Sequence, residues 1–280
     1  MSQLMSLEAM IAGHVEDGDT VALEGFTHLI PYAAGHEIIR QGRRNLELVR
    51  MTPDILYDQM IGMGIARAMK FSWGGNPGVG SLHRFRDAIE NGWPAPLEIE
   101  EHTHAAMTCA YDAGAANLPF GLLRGYLGTD LPKVNGNIRW VTCPFTDETL
   151  AAVAAIRPDV AIIHAQRADR HGNVMLEGII GIQREAVLSA KKALVTVEDI
   201  VDDFGERSPN AVILPGWALT AISLAPGGAH PSYAHGYYKR SNSFYVSWDE
   251  ISRDREKFLT WMDQNVMNRN IHGSAEQLSG

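Results

Sequence analysis

Strand-like and helix-like segments take turns along the first 115 residues, and that alternation limits the fold more than any single motif. The runs TVAL (20–23), LELV (46–49), MKFSW (69–73) and LEIEE (97–101) are short and β-prone. Segments with helical spacing lie between them. Ser6 can cap a helix that carries Leu7, Met10, Ile11 and Val15 on one side. Residues 33–41 form a second helix-like stretch, and Pro53 opens a third that runs to about Met63. Residues 82–91 predict a helix stopped by Gly92, and residues 103–113 predict another.

Such an order predicts an α/β fold: a mainly parallel sheet with helices on both faces, each helix returning the chain to the same end of the sheet. In open sheets of this kind ligands gather outside the carboxyl ends of the strands. That rule brings Glu24-Gly25-Phe26, the loop 74–80 and the corner 101–104 around one crevice. The second half is less regular. Residues 117–137 read as a long ordered loop or a pair of short strands. Strands are expected at 160–164 and 194–197, a turn at 169–173 and a helix at 185–192. Trp248, Ile251, Arg255, Phe258, Met262 and Val266 recur at helical spacing and predict one amphipathic helix near the C-terminus. Residues 1–268 are expected to act as a single domain, followed by a polar tail at 269–280.

The formal net charge of −9 speaks against a nucleic-acid platform, although a few arginines and helix N-termini can still hold an anionic substrate in a pocket. No stretch approaches the roughly 18 apolar residues of a membrane span, and the N-terminal residues lack the pattern of a secretion signal, so a cytoplasmic location is expected. The two cysteines, Cys109 and Cys143, form no C-x-x-C pair and are expected as small core residues.

The loop FSWGGNPGVGSLH (71–83) holds Gly74, Gly75, Gly78 and Gly80 between a strand and a helix. A dinucleotide fingerprint would need a third, small residue where His83 stands, and no Gly-Lys-Ser/Thr follows for a P-loop. The glycines therefore bring backbone N–H groups to a carbonyl or carboxylate, with Asn76 and Ser81 beside them. His102-Thr103-His104 has no identifiable third metal ligand and reads as a polar helix start, so no metal is assigned. No G-x-S-x-G elbow marks a serine nucleophile.

Several separated motifs resemble one family in the order that family has them. Residues 17–26 (DGDTVALEGF) resemble the N-terminal signature of class I CoA-transferase α subunits, with Glu24 in place of the first glycine of Gly-Gly-Phe and Pro31 shortly after. Residues 168–173 (ADRHGN) look like the family's Ala-Asp-x-x-Gly-Asn turn. APGGAHP (225–231), and Leu118-Pro119-Phe120 followed by Arg124 and Gly128, are similar to the glutaconate-type branch.

The resemblance implies transfer of CoA from succinyl-CoA to a dicarboxylate such as 3-oxoadipate. The nucleophilic glutamate would stand on a partner β subunit, so the α chain alone would be inert, with no permanent cofactor and a CoA thioester as substrate. Gly25, Phe26, Gly74, Gly75, Asn76 and Ser81 would then line the acyl portion, and Arg124 would pair the distal carboxylate through its planar guanidinium. A related branch of ring-cleaving CoA-thioester hydrolases places a glutamate of its own near the start of the helix after the fourth strand. Here that position falls at or beside His104, with Glu101 one turn away, and these are the weak catalytic candidates of this chain. A non-catalytic CoA-ester-binding module is the third reading.

Overall fold

The computed structural model describes residues 3–77 and 79–268. The polar tail at 269–280 and Gly78 lie outside the described residues. In chain order the elements are β1 (Gln3–Leu4), α1 (Leu7–His14), β2 (Thr20–Glu24), α2 (Tyr32–Arg40), β3 (Leu46–Val49), α3 (Ile55–Gly62) and β4 (Ala66–Phe71). Then come α4 (His83–Asn91), β5 (Glu98–Glu101), α5 (His104–Ala115), β6 (Phe120–Leu123), α6 (Leu131–Val134), β7 (Ile138–Thr142) and β8 (Thr149–Ala154). The chain continues through β9 (Val160–Asp169), β10 (Val174–Leu176), α7 (Gln183–Ser189), β11 (Lys192–Val201), β12 (Val212–Leu214) and β13 (Ala221–Leu224). After a 3-10 turn at Gly216–Ala218 ahead of β13, the described chain closes with α8 (Asn242–Arg253), α9 (Arg255–Met262) and a π-helical turn at Asp263–Met267.

The strands form a large sheet in the order β1-β13-β11-β9-β2-β3-β4-β5, every neighbouring pair parallel. β10 turns back antiparallel on the end of β9, and β12 pairs with β10 to extend this arm. A separate antiparallel sheet has the order β6-β8-β7. The expected α/β architecture is therefore present, with helices on both faces. Alternate residues of β2 enter different cores: Val21 and Leu23 join α1–α4, α8 and α9, whereas Ala22 joins α5, α7 and the small sheet. Strands buried on both faces have no use for polar alternation, which is why VAII (160–163) reads as a continuous apolar run.

Local chemistry sets the helix starts. Ser6 accepts from Ala9 N–H at the start of α1, and Thr103 accepts from Ala106 N–H at the start of α5; such caps contribute about 1 kcal/mol each. Gly92 stops α4 in the left-handed conformation, as its position predicts.

Four expectations need correction. The helix expected from Pro53 starts at Ile55, because Asp54 takes the cap position and accepts from Leu56 N–H. The single C-terminal helix is two: Asp254 leaves the helical conformation and its side chain caps α9 through Lys257 N–H. Residues 117–137 hold one strand and the short α6, while β9 and β11 run to ten residues each, longer than 160–164 and 194–197. The two cysteines are half-buried rather than core, since both belong to the region around the small sheet. Among the described residues no helix is long and apolar enough to cross a membrane.

Candidate active site

Strands β2, β3, β4 and β5 are neighbours, so their carboxyl ends form one continuous ledge. The Ser72 and Trp73 N–H groups donate to the Met51 carbonyl beyond β3, at 3.1 and 3.3 Å. Gly75 N–H donates to the Pro53 carbonyl at 3.2 Å, and His102 N–H to the Phe71 carbonyl at 2.8 Å. The structure thus brings Gly25, Phe26, Gly74, Gly75, Asn76 and the 101–104 corner onto one edge, as the strand order requires.

Gly25 follows β2 directly. A Cβ there would lie 2.8 Å from the Leu29 carbonyl oxygen and 2.9 Å from that of His28, so only glycine lets the chain fold back this closely. Thr27 and Leu29 then take φ values of 58° and 52°. Side chains of this kind accept a left-handed backbone only where the surroundings impose it. Two contacts do so here. The Ser232 hydroxyl donates to the Thr27 carbonyl at 3.2 Å, and Leu29 N–H donates to the Tyr233 carbonyl at 3.0 Å.

His28 is fully buried between them. Its Nδ1 donates to the Ile179 carbonyl at 2.8 Å, and its Nε2 accepts from His235 N–H at 3.0 Å, which fixes the neutral tautomer. Burial pushes its pKa down to about 4, consistent with that assignment. Phe26, at the tip of the turn, is partly exposed.

The glycine loop is anchored from the far end of the chain. Asn76 N–H donates to the Gly80 carbonyl at 3.0 Å, closing the loop on itself. The Asn76 side chain is buried and its Nδ2 donates to the Tyr245 carbonyl of α8 at 2.7 Å, leaving Oδ1 without a partner among the described residues. Arg240 donates to the Pro77 carbonyl and lies over the Tyr245 ring, 3.8 Å from its centre. Gly75 faces the Trp73 indole so closely that a Cβ would meet the ring at 2.6 Å. Ser81 is half-buried ahead of α4. His83, which broke the nucleotide fingerprint, is the first residue of α4 and pairs with Asp249 at 2.8 Å.

At the fourth strand end, His102 is buried against Glu100 at 2.7 Å, and Asn135 donates to the Glu101 carbonyl. The Glu101 and His104 side chains are exposed. Arg124 stands apart from the ledge, at the end of the small sheet, with Nε and Nη2 already donating to the two oxygens of Glu148 at 2.8 and 3.0 Å. A substrate carboxylate there would compete with Glu148.

Sequence reasoning missed the buried polar groups under the ledge. Glu24 accepts from the Tyr111 hydroxyl at 2.9 Å and Met51 N–H at 3.0 Å. Arg50, also buried, donates to the Gly25 carbonyl at 2.7 Å and to Asp54 at 3.0 Å. Farther along the sheet, His164 meets Glu198 at 2.6 Å. Glu198 also accepts from the Tyr238 hydroxyl at 2.5 Å and Gly227 N–H at 2.7 Å, which clamps the 225–231 turn. The available signal was a charged residue inside an apolar strand run: Glu24 after TVAL, His164 after VAII, Glu198 after LVTV.

Residues 4–225 match the family model described as Coenzyme A transferase. This chain belongs to the coenzyme A transferase family. Among coenzyme A transferase relatives, a 3-oxoadipate CoA-transferase subunit of Pseudomonas knackmussii is 62% identical over 266 residues, covering 95% of this chain and 94% of that protein. The crystal structure of glutaconate coenzyme A-transferase from Acidaminococcus fermentans superposes with a TM-score of 0.89 at 32% identity, over 96% of this chain and 90% of that one. The cholesterol ring-cleaving hydrolase IpdA subunit of Rhodococcus jostii is 30% identical over 167 residues, only 56% of each chain. The ledge described above is thus the carboxyl edge of a coenzyme A transferase subunit.

Proposed function

We propose that this chain is the α subunit of a CoA-transferase that moves CoA from succinyl-CoA to a 3-oxo dicarboxylate, 3-oxoadipate above all, together with a β subunit. The observation that carries the reading is the 62% identity to a 3-oxoadipate CoA-transferase subunit along 95% of this chain. In the expected exchange, a glutamate carboxylate on the β subunit's side of the site attacks the succinyl thioester and the CoA thiolate leaves, giving a mixed anhydride. The thiolate then attacks the glutamyl carbonyl and releases succinate. The acceptor carboxylate takes the glutamyl group from sulfur, and the returning thiolate cleaves this second anhydride to give the new CoA ester and free glutamate. Splitting one exchange into such steps is covalent catalysis.

This chain's contribution is the backbone ledge. Gly25-Phe26 and Gly74-Gly75-Asn76, with Ser81, lie along the acyl portion, where backbone N–H groups can stabilise developing oxyanions. Glu24 is too deeply buried and too fully engaged to serve as a nucleophile, which agrees with one supplied by a partner. Arg124 reaches the distal carboxylate by exchanging its partner Glu148. Residues 1–268 work as one unit in a cytoplasmic enzyme.

The test is co-expression with the β subunit, followed by an exchange assay with succinyl-CoA and a panel of dicarboxylates. The expected result is exchange by the complex, fastest with 3-oxoadipate, and none by the isolated chain. Full-rate exchange by the chain alone overturns the reading. Consumption of a CoA ester without an acceptor acid, abolished by Glu101→Gln, would favour hydrolysis instead. Ligand binding without turnover in the complex would leave a binding module.

A further inference from the structure

The turn that follows Gly25 is held by one distant segment of the chain. Thr27 and Leu29 have φ values of 58° and 52°. For an L-residue the left-handed region is disfavoured by roughly 5–30-fold in population, and a β-branched side chain such as that of Thr27 tolerates it worst. The compensation comes from residues 232–235. The Ser232 hydroxyl, fully buried, donates to the Thr27 carbonyl at 3.2 Å. His28 accepts at Nε2 from the His235 N–H at 3.0 Å, and its ring lies 4.5 Å from that of Tyr233 between centres. Leu29 N–H donates to the Tyr233 carbonyl at 3.0 Å. Thr27, His28 and Leu29 are therefore each met from a segment whose first contact, Ser232, stands 205 positions further along the sequence.

That segment is itself fastened at both ends. One oxygen of the buried Glu198 accepts from the Gly227 N–H at 2.7 Å. The other accepts from the Tyr238 hydroxyl at 2.5 Å and meets His164 Nε2 at 2.6 Å. The Tyr238 hydroxyl in turn accepts from the Ala229 N–H at 3.0 Å, and the Ala33 N–H donates to the Gly228 carbonyl at 2.9 Å. Gly227 and Tyr238 thus converge on one carboxylate, and residues 232–235 between them meet the turn. A second loop abuts the same turn: His28 Nδ1 donates to the Ile179 carbonyl at 2.8 Å, and a Cβ on Gly178 would stand 3.0 Å from the His28 ring. Of all these contacts the Ser232 hydroxyl is the one that a single small substitution removes. Its other acceptor, the Tyr233 carbonyl, lies farther off at 3.4 Å.

We propose that residues 227–238 are a latch that keeps the turn after β2 in its left-handed form, and that Ser232 is a positioning residue acting through the Thr27 carbonyl on Gly25 and Phe26. Once released, Thr27 relaxes toward the ordinary backbone regions. Phe26, its chain neighbour, then leaves its place against Gly181 at the edge of the ledge. The kinetic consequence rests on the transferase reading; the conformational one does not. A latch and a merely structural hydroxyl differ in one respect. The latch is needed only while residue 27 resists the left-handed region, and glycine enters that region at no steric cost. Thr27→Gly should therefore make the Ser232 hydroxyl largely dispensable.

The experiment compares wild type, Ser232→Ala, Thr27→Gly and the double variant, each in complex with the β subunit. Ser232→Ala should lower kcat by about 5–30-fold, the population lost when an unlatched Thr27 relaxes, with KM for the acyl-CoA changed by less than about 2-fold. The double variant should be at least about 5-fold more active than Ser232→Ala, whereas independent defects would multiply. In parallel, hydrogen exchange of the Leu29 amide is followed in the isolated chain. It should run about 5–10-fold faster in Ser232→Ala and slow again in the double variant, while the Ile162 and Leu194 amides keep their wild-type protection throughout. Should Ser232→Ala not fold, Ser232→Cys, which fills the same space with a weak donor, takes its place. Wild-type kcat in the Ser232 variant overturns the proposal. So does a double variant no more active than Ser232→Ala, or a Leu29 amide in Ser232→Ala as protected as in wild type. If the wild-type complex transfers no CoA, the transferase reading fails, and the Leu29 amide alone decides whether the latch exists.

Discussion

The two sheets of this molecule are finished to different degrees. The central parallel strands β11, β9, β2 and β3 are covered on both faces, and Ile162, Leu194, Leu23 and Leu48 have no solvent contact. The three antiparallel strands bury only the face that meets α5, through Ala151, Val153 and Ile138. Phe120 and Leu122 project from the other face, 42% and 49% exposed. A parallel sheet has to be closed by its own crossover helices, whereas an antiparallel one can leave a side open. The large sheet therefore holds the fold together, and the small one is where the chain leaves apolar surface uncovered.

That contrast can be broken or sharpened by measurement. The largest effect is expected for Asp54→Ala under the large sheet. It strips the buried Arg50 of its carboxylate and should cost about 3–5 kcal/mol in urea unfolding of the isolated chain. A loss below about 1 kcal/mol, within the range of exposed pairs, would mean that water enters beneath the ledge.

Next comes the pH dependence of Glu24→Gln. The Glu24 pKa is about 7 in the folded chain against 4.5 for the free side chain. The folded state therefore binds the extra proton between those values. The stability it contributes is complete below 4.5 and is lost as pH rises through about 7. The variant should gain stability over wild type between about pH 5 and pH 8, by about 2–3 kcal/mol. A constant difference in Tm across that range would contradict the assigned pKa. Thr103→Ala, which removes the cap of α5 between the two sheets, should cost about 1 kcal/mol by the same unfolding measurement. The smallest effect belongs to the open face: Leu122→Ser should change the stability of the isolated chain by no more than about 0.5 kcal/mol. A loss as large as that of Asp54→Ala would show the face to be covered.

The same contrast explains what the sequence reveals. Strands β2 to β5 were readable because Gly, Pro and Asp punctuate them and each is followed by a helical run. Their shared edge follows from the rule for parallel sheets, which is how Gly25, Gly74 and Gly75 could be placed together. The small sheet was not readable. Its first strand, β6, pairs with β8 across the connection from Leu123 to Thr149, its strands alternate weakly, and β8 is the alanine-rich run TLAAVA, which suits a helix as well as a strand. The polar groups beneath the ledge escaped for a different reason. Glu24, Tyr111 and Met51 meet only through tertiary packing, across sequence separations of 87 and 27 residues, and no local pattern announces such a meeting.

The eight-strand path ends in β1, only two residues long, and in β5, whose sequence EIEE sets three carboxylates along four positions. A second copy sliding in strand to strand would find almost nothing to pair with at one margin and a row of like charge at the other. Both are recognised ways of blunting a sheet against polymerisation. Whatever company this polypeptide keeps, the sheet is guarded against being lengthened, and association is steered toward its loops and its uncovered faces.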